Sequence, residues 1–151
     1  MTIINTINFF ESLLTQTNKK SEIKVYKDFI TILSNLKNRE LTDTQFRSIE
    51  EELKTLDLQS NPENRKRYFY KKLTAFKKYL KDELSLISEG YYTAIGMSLG
   101  MSFGVAIGAS FAESTGIALG ISLGMLIGMI IGRTKDTEAA KQGRVLKTKL
   151  K

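Results

Sequence analysis

The sequence predicts an all-α protein, an N-terminal helical bundle of about four helices followed by a transmembrane helical hairpin. Three observations predict it. Apolar residues recur at spacings of three and four through residues 1–90. The run from Tyr91 to Gly132 holds a single residue charged at pH 7, Glu113, and is about twice the roughly 18 residues that mark a candidate membrane helix. Inside that run, glycine returns every fourth residue.

The first stripe is Ile3, Ile7, Phe10 and Leu14. The second is Tyr26, Phe29, Leu33 and Leu36, supported by Ile23, Ile30 and Ile32. These are the faces of amphipathic helices. Asn18-Lys19-Lys20-Ser21 reads as the turn between them, with Ser21 as N-cap. Thr42 or Asp43 can cap a third helix with the stripe Phe46, Ile49, Leu53 and Leu56. Ser60-Asn61-Pro62-Glu63 marks the next start, with Asn61 as N-cap and Pro62 as the first helical residue. Phe69, Leu73, Phe76, Leu80, Leu84 and Ile87 then form a fourth stripe, and Gly90 is the natural break before the apolar run. The domains read as a cytoplasmic bundle over 1–90, a hairpin over 91–132 and a basic tail over 133–151. The tail has few apolar residues and reads as a fraying helix or as disordered.

The apolar run divides at its one polar cluster, Ala112-Glu113-Ser114-Thr115. The spans 91–111 and 115–132 would reach roughly 31 and 27 Å, enough for a hydrocarbon core of about 30 Å. Glycine fills the third place of the tetrads at Gly96, Gly100, Gly104, Gly108, Gly116, Gly120, Gly124, Gly128 and Gly132, nine of the eleven glycines in the chain. Ala112 is the one gap. Lipid tails are as apolar as leucine, so close backbone packing, not hydrophobicity, joins helices in a bilayer. These nine positions are the expected oligomer-packing face. A second small series, Ala94, Ser98, Ser102, Ala106, Ser110, Ser114, Ala118 and Ser122, lies about 200° round the helix. Two small faces per helix suit a ring or sheet of helices. Ser98, Ser102, Ser110, Ser114 and Ser122, with Glu113 as an acidic ring, are the candidate pore-lining groups.

Small and large residues also alternate with period two, the pattern of a strand. Gly and Met are poor strand residues, and spans near 20 residues fit helices better than membrane strands of about 10. A buried core hairpin of a soluble protein is the other reading. A soluble chain seldom carries so long a run without polar interruption.

The tetrads resemble the glycine-zipper segments of bacterial membrane proteins, found in pore-forming toxins such as the vacuolating cytotoxin and in the large-conductance mechanosensitive channel. The likeness covers residues 91–132 and leaves the N-terminal bundle unrecognised. It implies a glycine-zipper transmembrane hairpin and membrane oligomers.

Charge follows the same division. Residues 1–90 hold sixteen Lys/Arg against thirteen Asp/Glu, and residues 133–151 hold seven against two. Basic residues flank both outer ends of the hairpin, so the positive-inside rule predicts that both termini are cytoplasmic, and the expected location is the inner (plasma) membrane. Tyr91 and Tyr92 stand where an aromatic belt would be. Lys77, Lys78, Lys81, Arg133 and Lys135 are the expected lipid-headgroup contacts. The fourth helix also carries Arg65, Lys66, Arg67, Lys71 and Lys72 among aromatic residues, a pattern shared with single-strand binders. Nucleic acid is the least favoured partner, because those aromatics are needed for the core stripe.

The chain has no Cys and no His. That removes disulfides, thiolate chemistry and the commonest general base and metal ligand. No phosphate-binding loop or nucleotide fingerprint occurs. Glu50-Glu51-Glu52 reads as a solvated helix face. No enzymatic activity, metal or cofactor is expected. The opening MTIINTINFFESLL lacks a basic n-region and is not read as a secretory signal. The expected function is a homo-oligomeric pore, in the setting of a bacterial toxin or antiviral abortive-infection effector. The alternative is a non-conducting anchor or scaffold whose bundle recruits a protein or nucleic-acid partner.

Overall fold

The computed structural model describes residues 1–111 and 114–147, and of Ser114 the backbone alone. Among these are six α-helices: α1 (Ile3–Thr15), α2 (Lys20–Lys37), α3 (Asp43–Thr55), α4 (Arg65–Leu84), α5 (Tyr91–Gly108) and α6 (Ser114–Lys141). Two short strands, β1 (Ile87–Ser88) and β2 (Val145–Leu146), pair as a two-stranded sheet. The protein is mostly helical, as the spacing predicts. The chain forms two compact units. One is Met1–Ile87 with Leu146 and Lys147, and the other is Ser88 to Val145.

In the first unit the helices pack in the cycle α1–α2–α4–α3. The predicted stripes supply the core. Phe10, Tyr26, Phe29, Leu33, Leu36, Ile49, Leu53, Phe69, Leu73, Phe76 and Leu80 are all buried. Phe10 stacks on Phe29 at 4.3 Å between ring centroids, and Phe69 meets Phe10 and Tyr26 edge-on at 5.5 and 5.4 Å. Such aromatic pairs add specificity beyond their area.

The caps differ from expectation at two helices. Thr42 caps α3 in a full capping box with Gln45, as predicted. α2 starts after Lys19, so Ser21 lies inside the helix. α4 starts after Asn64, whose Oδ1 accepts the Arg67 N–H at 3.0 Å. Asn61 instead accepts from the Arg65 guanidinium at 2.8 Å, and Pro62 precedes the helix. α4 ends at Leu84 and is capped by Ser85, whose φ of 55° is left-handed, and Ile87 is a strand residue. Glu50 is half-buried and accepts the Ile3 N–H at 3.3 Å, which ties α3 to the open end of α1.

The tail also differs. α6 runs past Gly132 to Lys141 because Arg133–Lys141 contains no helix breaker. Just past its end the chain turns at Gly143, with φ +68°, and the Arg144 N–H bonds to the Ala139 carbonyl. Leu146 is buried in the core of the first unit, and the Lys147 N–H reaches Asn35 Oδ1 at 3.4 Å. Residues 133–147 are therefore ordered structure, not a fraying end.

Candidate functional site

The second unit is a pair of antiparallel helices in close contact. Gly96 meets Gly128, Gly100 meets Gly124, Gly104 meets Gly120 and Gly108 meets Gly116. The pairs are centred on position 112, the tetrad where glycine is missing. A β-carbon built on Gly100 would overlap the Gly124 carbonyl oxygen, and one on Gly124 would overlap that of Gly100. Ordinary contacts need about 3.5–4.0 Å. Gly132 is fitted as tightly against Tyr92 and Thr93. All nine glycines in the register thus face a partner helix within the same chain.

Three other faces follow from the 100° step of the helix. The second tetrad positions line a groove of about 530 Å³, with a glycine floor, Leu99, Phe103 and Ile107 as one wall and Leu123, Ile127 and Ile131 as the other. The fourth positions lie on the opposite face and carry Met97, Met101, Met125 and Met129, all half-buried. The first positions form the two outer edges. On α5 the edge is small and exposed throughout, from Ala94 through Ser98 and Ser102 to Ala106, and Ser110 just past the helix continues it. On α6 it is small at Ala118 and Ser122 and bulky at Leu126 and Ile130.

Each edge hydroxyl has a partner in its own helix. Ser98 donates to the Ala94 carbonyl at 2.9 Å, Ser102 to Ser98 at 3.0 Å, Ser110 to Ala106 at 3.4 Å and Ser122 to Ala118 at 2.8 Å. Glu113 and the Ser114 side chain lie outside the described residues.

The open end of the pair carries a contact that the sequence reading missed. Gly90, with φ +74°, leaves α5 without a side-chain cap. Asp136 of α6 supplies one. Its carboxylate accepts the Tyr92 and Thr93 N–H groups, both at 2.9 Å, and the Thr93 hydroxyl at 2.6 Å. A carboxylate at a helix N-terminus satisfies orphan donors and complements the macrodipole. The rings of Tyr91 and Tyr92 meet edge-on at 5.4 Å.

α6, over Thr115–Lys141, is long and apolar enough to cross a membrane, and only 11% of its most apolar window is buried inside the molecule. α5 is shorter, opens on Tyr91-Tyr92-Thr93, and does not reach the same length and apolarity, so one candidate span stands where two are expected. Apart from Ile4 and Tyr70, every exposed large hydrophobic side chain among the described residues lies between Ile95 and Ile131.

The expected headgroup residues divide. Arg133, Lys135 and Lys78 are exposed. Lys81 pairs with Asp82 at 3.1 Å. Lys77 is half-buried, and burial holds its ammonium below the usual lysine range, with the Asp28 carboxylate acting the other way. The chain matches no family model, no curated protein and no solved structure.

Proposed function

We propose that the helix pair is a membrane-embedded hairpin of the glycine-zipper type, and that copies of the chain assemble through it into a pore. The observation that carries the membrane reading is the outward display of bulk. A soluble protein's apolar helix pair hides its large side chains, whereas this one turns Leu99, Phe103, Ile107, Leu119, Leu123, Ile127 and Ile130 outward at 54–67% exposure. Bulk of that kind in one continuous region marks a membrane or interaction surface. In this reading both termini are cytoplasmic and the membrane is the inner (plasma) membrane. The chain carries out no reaction.

The edges favour a ring. With the glycines engaged inside each hairpin, contacts between copies fall to the edges. At equal depth, Leu126 and Ile130 on the α6 edge stand level with Ser98 and Ala94 on the α5 edge. Bulk on one edge therefore meets small residues on the next copy's opposite edge. Such a heterologous contact closes into a ring when the rotation permits. The serines then lie at the seams between copies, and one apolar face lines the lumen. A hydrophobic constriction gates by dewetting. A toxin or antiviral effector that opens such a ring on a cytoplasmic signal is the setting that this architecture suits.

One observation favours a second reading, a non-conducting anchor. The hydroxyls of Ser98, Ser102, Ser110 and Ser122 already serve their own helices. Back-bonded serines need no water beside them.

The chain has no cysteine, so a Ser98→Cys/Leu126→Cys double variant gives a clean test in liposomes. The two positions lie on opposite edges of one hairpin. Oxidation is expected to yield a ladder of covalent oligomers, and the unmodified protein is expected to release a small trapped dye. A ladder without release selects the anchor. Neither ladder nor release removes the assembly.

A further inference from the structure

The outer face of α4 carries a compact group of side chains for which the bundle has no use. Tyr70 is 61% exposed, in a unit whose other aromatic rings are buried or half-buried. Lys66, Arg67, Lys71 and Lys78 are exposed around it. On a helix these five share an arc of about 140° and a length of about 18 Å. The rest of the basic series is engaged elsewhere. Arg65 donates to Asn61, Lys72 lies 5.1 Å from the centre of the Tyr68 ring, Lys77 is half-buried and Lys81 pairs with Asp82. Lys66, Arg67, Lys71 and Lys78 form no ion pair among the described residues. No acidic residue occurs from Arg65 to Lys81. The first turn of α4 holds three cations and no acid, at the helix end where the macrodipole favours anions. Natural sequences accept such a local conflict mostly where function requires it.

We infer that this face docks on an anionic bilayer surface, with Tyr70 at headgroup depth and Lys66, Arg67, Lys71 and Lys78 against the phosphates. The inference rests on the membrane reading of the hairpin, whose first helix begins at Tyr91, shortly after α4 ends at Leu84. Tyrosine suits the membrane–water interface because one end is apolar and the other is wet. Lysine and arginine lay their stems along the surface and reach phosphate with their tips. A single-stranded nucleic acid fits less well. It stacks successive bases on several exposed rings, and here Phe69 and Phe76 are buried, while the Tyr68 and Tyr79 hydroxyls bond to Asp57 and Ser48. One free ring makes an interfacial anchor but a poor stacking platform.

The chain has no tryptophan, so Tyr70→Trp and Leu123→Trp each give a single reporter in the full-length protein. Both are reconstituted in vesicles of phosphatidylcholine alone and of phosphatidylcholine with phosphatidylglycerol, each containing spin-labelled lipid. For Tyr70→Trp the expected result is a blue shift and quenching by shallow labels in the anionic vesicles only. Both should be lost in 1 M salt, where the Debye length falls to about 3 Å, and when Lys66, Arg67, Lys71 and Lys78 are all changed to Gln. Leu123→Trp should be quenched by deep labels in both vesicle types. Deep quenching at position 123 with no lipid dependence at position 70 overturns the docking face and leaves the membrane reading intact. No quenching at position 123 removes the membrane reading and the docking face together. Stronger quenching of Trp at position 70 by a single-stranded oligonucleotide than by anionic vesicles at equal phosphate overturns the inference in favour of nucleic acid.

Discussion

One methyl group at Gly100 is enough to separate the helix pair. The added β-carbon would strike the Gly124 carbonyl, which is main chain and has no rotamer to change. Overpacking of this kind typically costs about 1–3 kcal/mol. Gly100→Ala is expected to lower the stability of the pair by about that amount in an SDS titration of the protein in mild micelles. Gly90 has no atom within 4 Å of its built β-carbon, so Gly90→Ala should lose only about 1 kcal/mol from its positive φ. The small residues of the tetrads were legible from spacing alone. Which small face meets which helix was not. Gly and Ser/Ala alternate two residues apart, and either series satisfies the rule that small residues permit close approach. The structure separates them: glycine takes the main-chain contact, and Ala/Ser take the edges.

At the scale of the element, Asp136 does for α5 what Thr42 does for α3, but from another helix. Thr42 and Gln45 lie three residues apart, so their capping box can be read locally. Asp136 is more than forty residues from Tyr92, beyond any local pattern. Asp136→Ala is expected to destabilise the start of α5 by about 2 kcal/mol, given that hydrogen bonds to a charged group are worth about 1.5–3. Faster amide hydrogen exchange at Tyr92 and Thr93 would report it, and unchanged exchange would mean that the cap contributes nothing. Asp136→Asn should recover part of the protection, since it keeps an acceptor and loses the charge. The start of α4 was misread for a different reason. Asn61 and Asn64 both offer N-cap chemistry, and Pro62 favoured the first. The Arg65 guanidinium engages Asn61, which leaves the cap to Asn64. The length of α6 was not legible because Arg133 marks the end of the apolar run, and nothing in the charged residues after it shows that the helix continues to Lys141.

For the molecule as a whole, the division into a polar helical unit and an apolar helix pair was legible from composition, because the two parts differ so sharply in charge. The return of the chain was not. The sequence after Lys141 is short and basic, and nothing local distinguishes Leu146 from a solvent-exposed leucine. It is 1% exposed, within the core that contains Leu36 and Phe76. Leu146→Ala should therefore destabilise the first unit by about 2–5 kcal/mol, the range for a buried leucine, read as a lower urea midpoint by far-ultraviolet circular dichroism. An unchanged midpoint would show that Leu146 carries no weight in that core. The segment Ser88–Val145 is accordingly an insertion between two parts of one folding unit.

A contact made of identical units cannot distinguish one unit from the next. Sliding α6 along α5 by one tetrad, about 6 Å, would again set glycine against glycine at most levels. The repeat therefore supplies attraction without a zero point. The zero point comes from the features that occur once: the missing glycine at position 112 and the Asp136 carboxylate across Tyr92 and Thr93. The same degeneracy extends beyond one chain. A second copy offers the same face with the same spacing, so a hairpin opened at its turn can re-form with its neighbour through the contacts it gave up. Exchange of helices between copies is thus nearly neutral in glycine contacts, and the connection between α5 and α6 decides which helix each one meets.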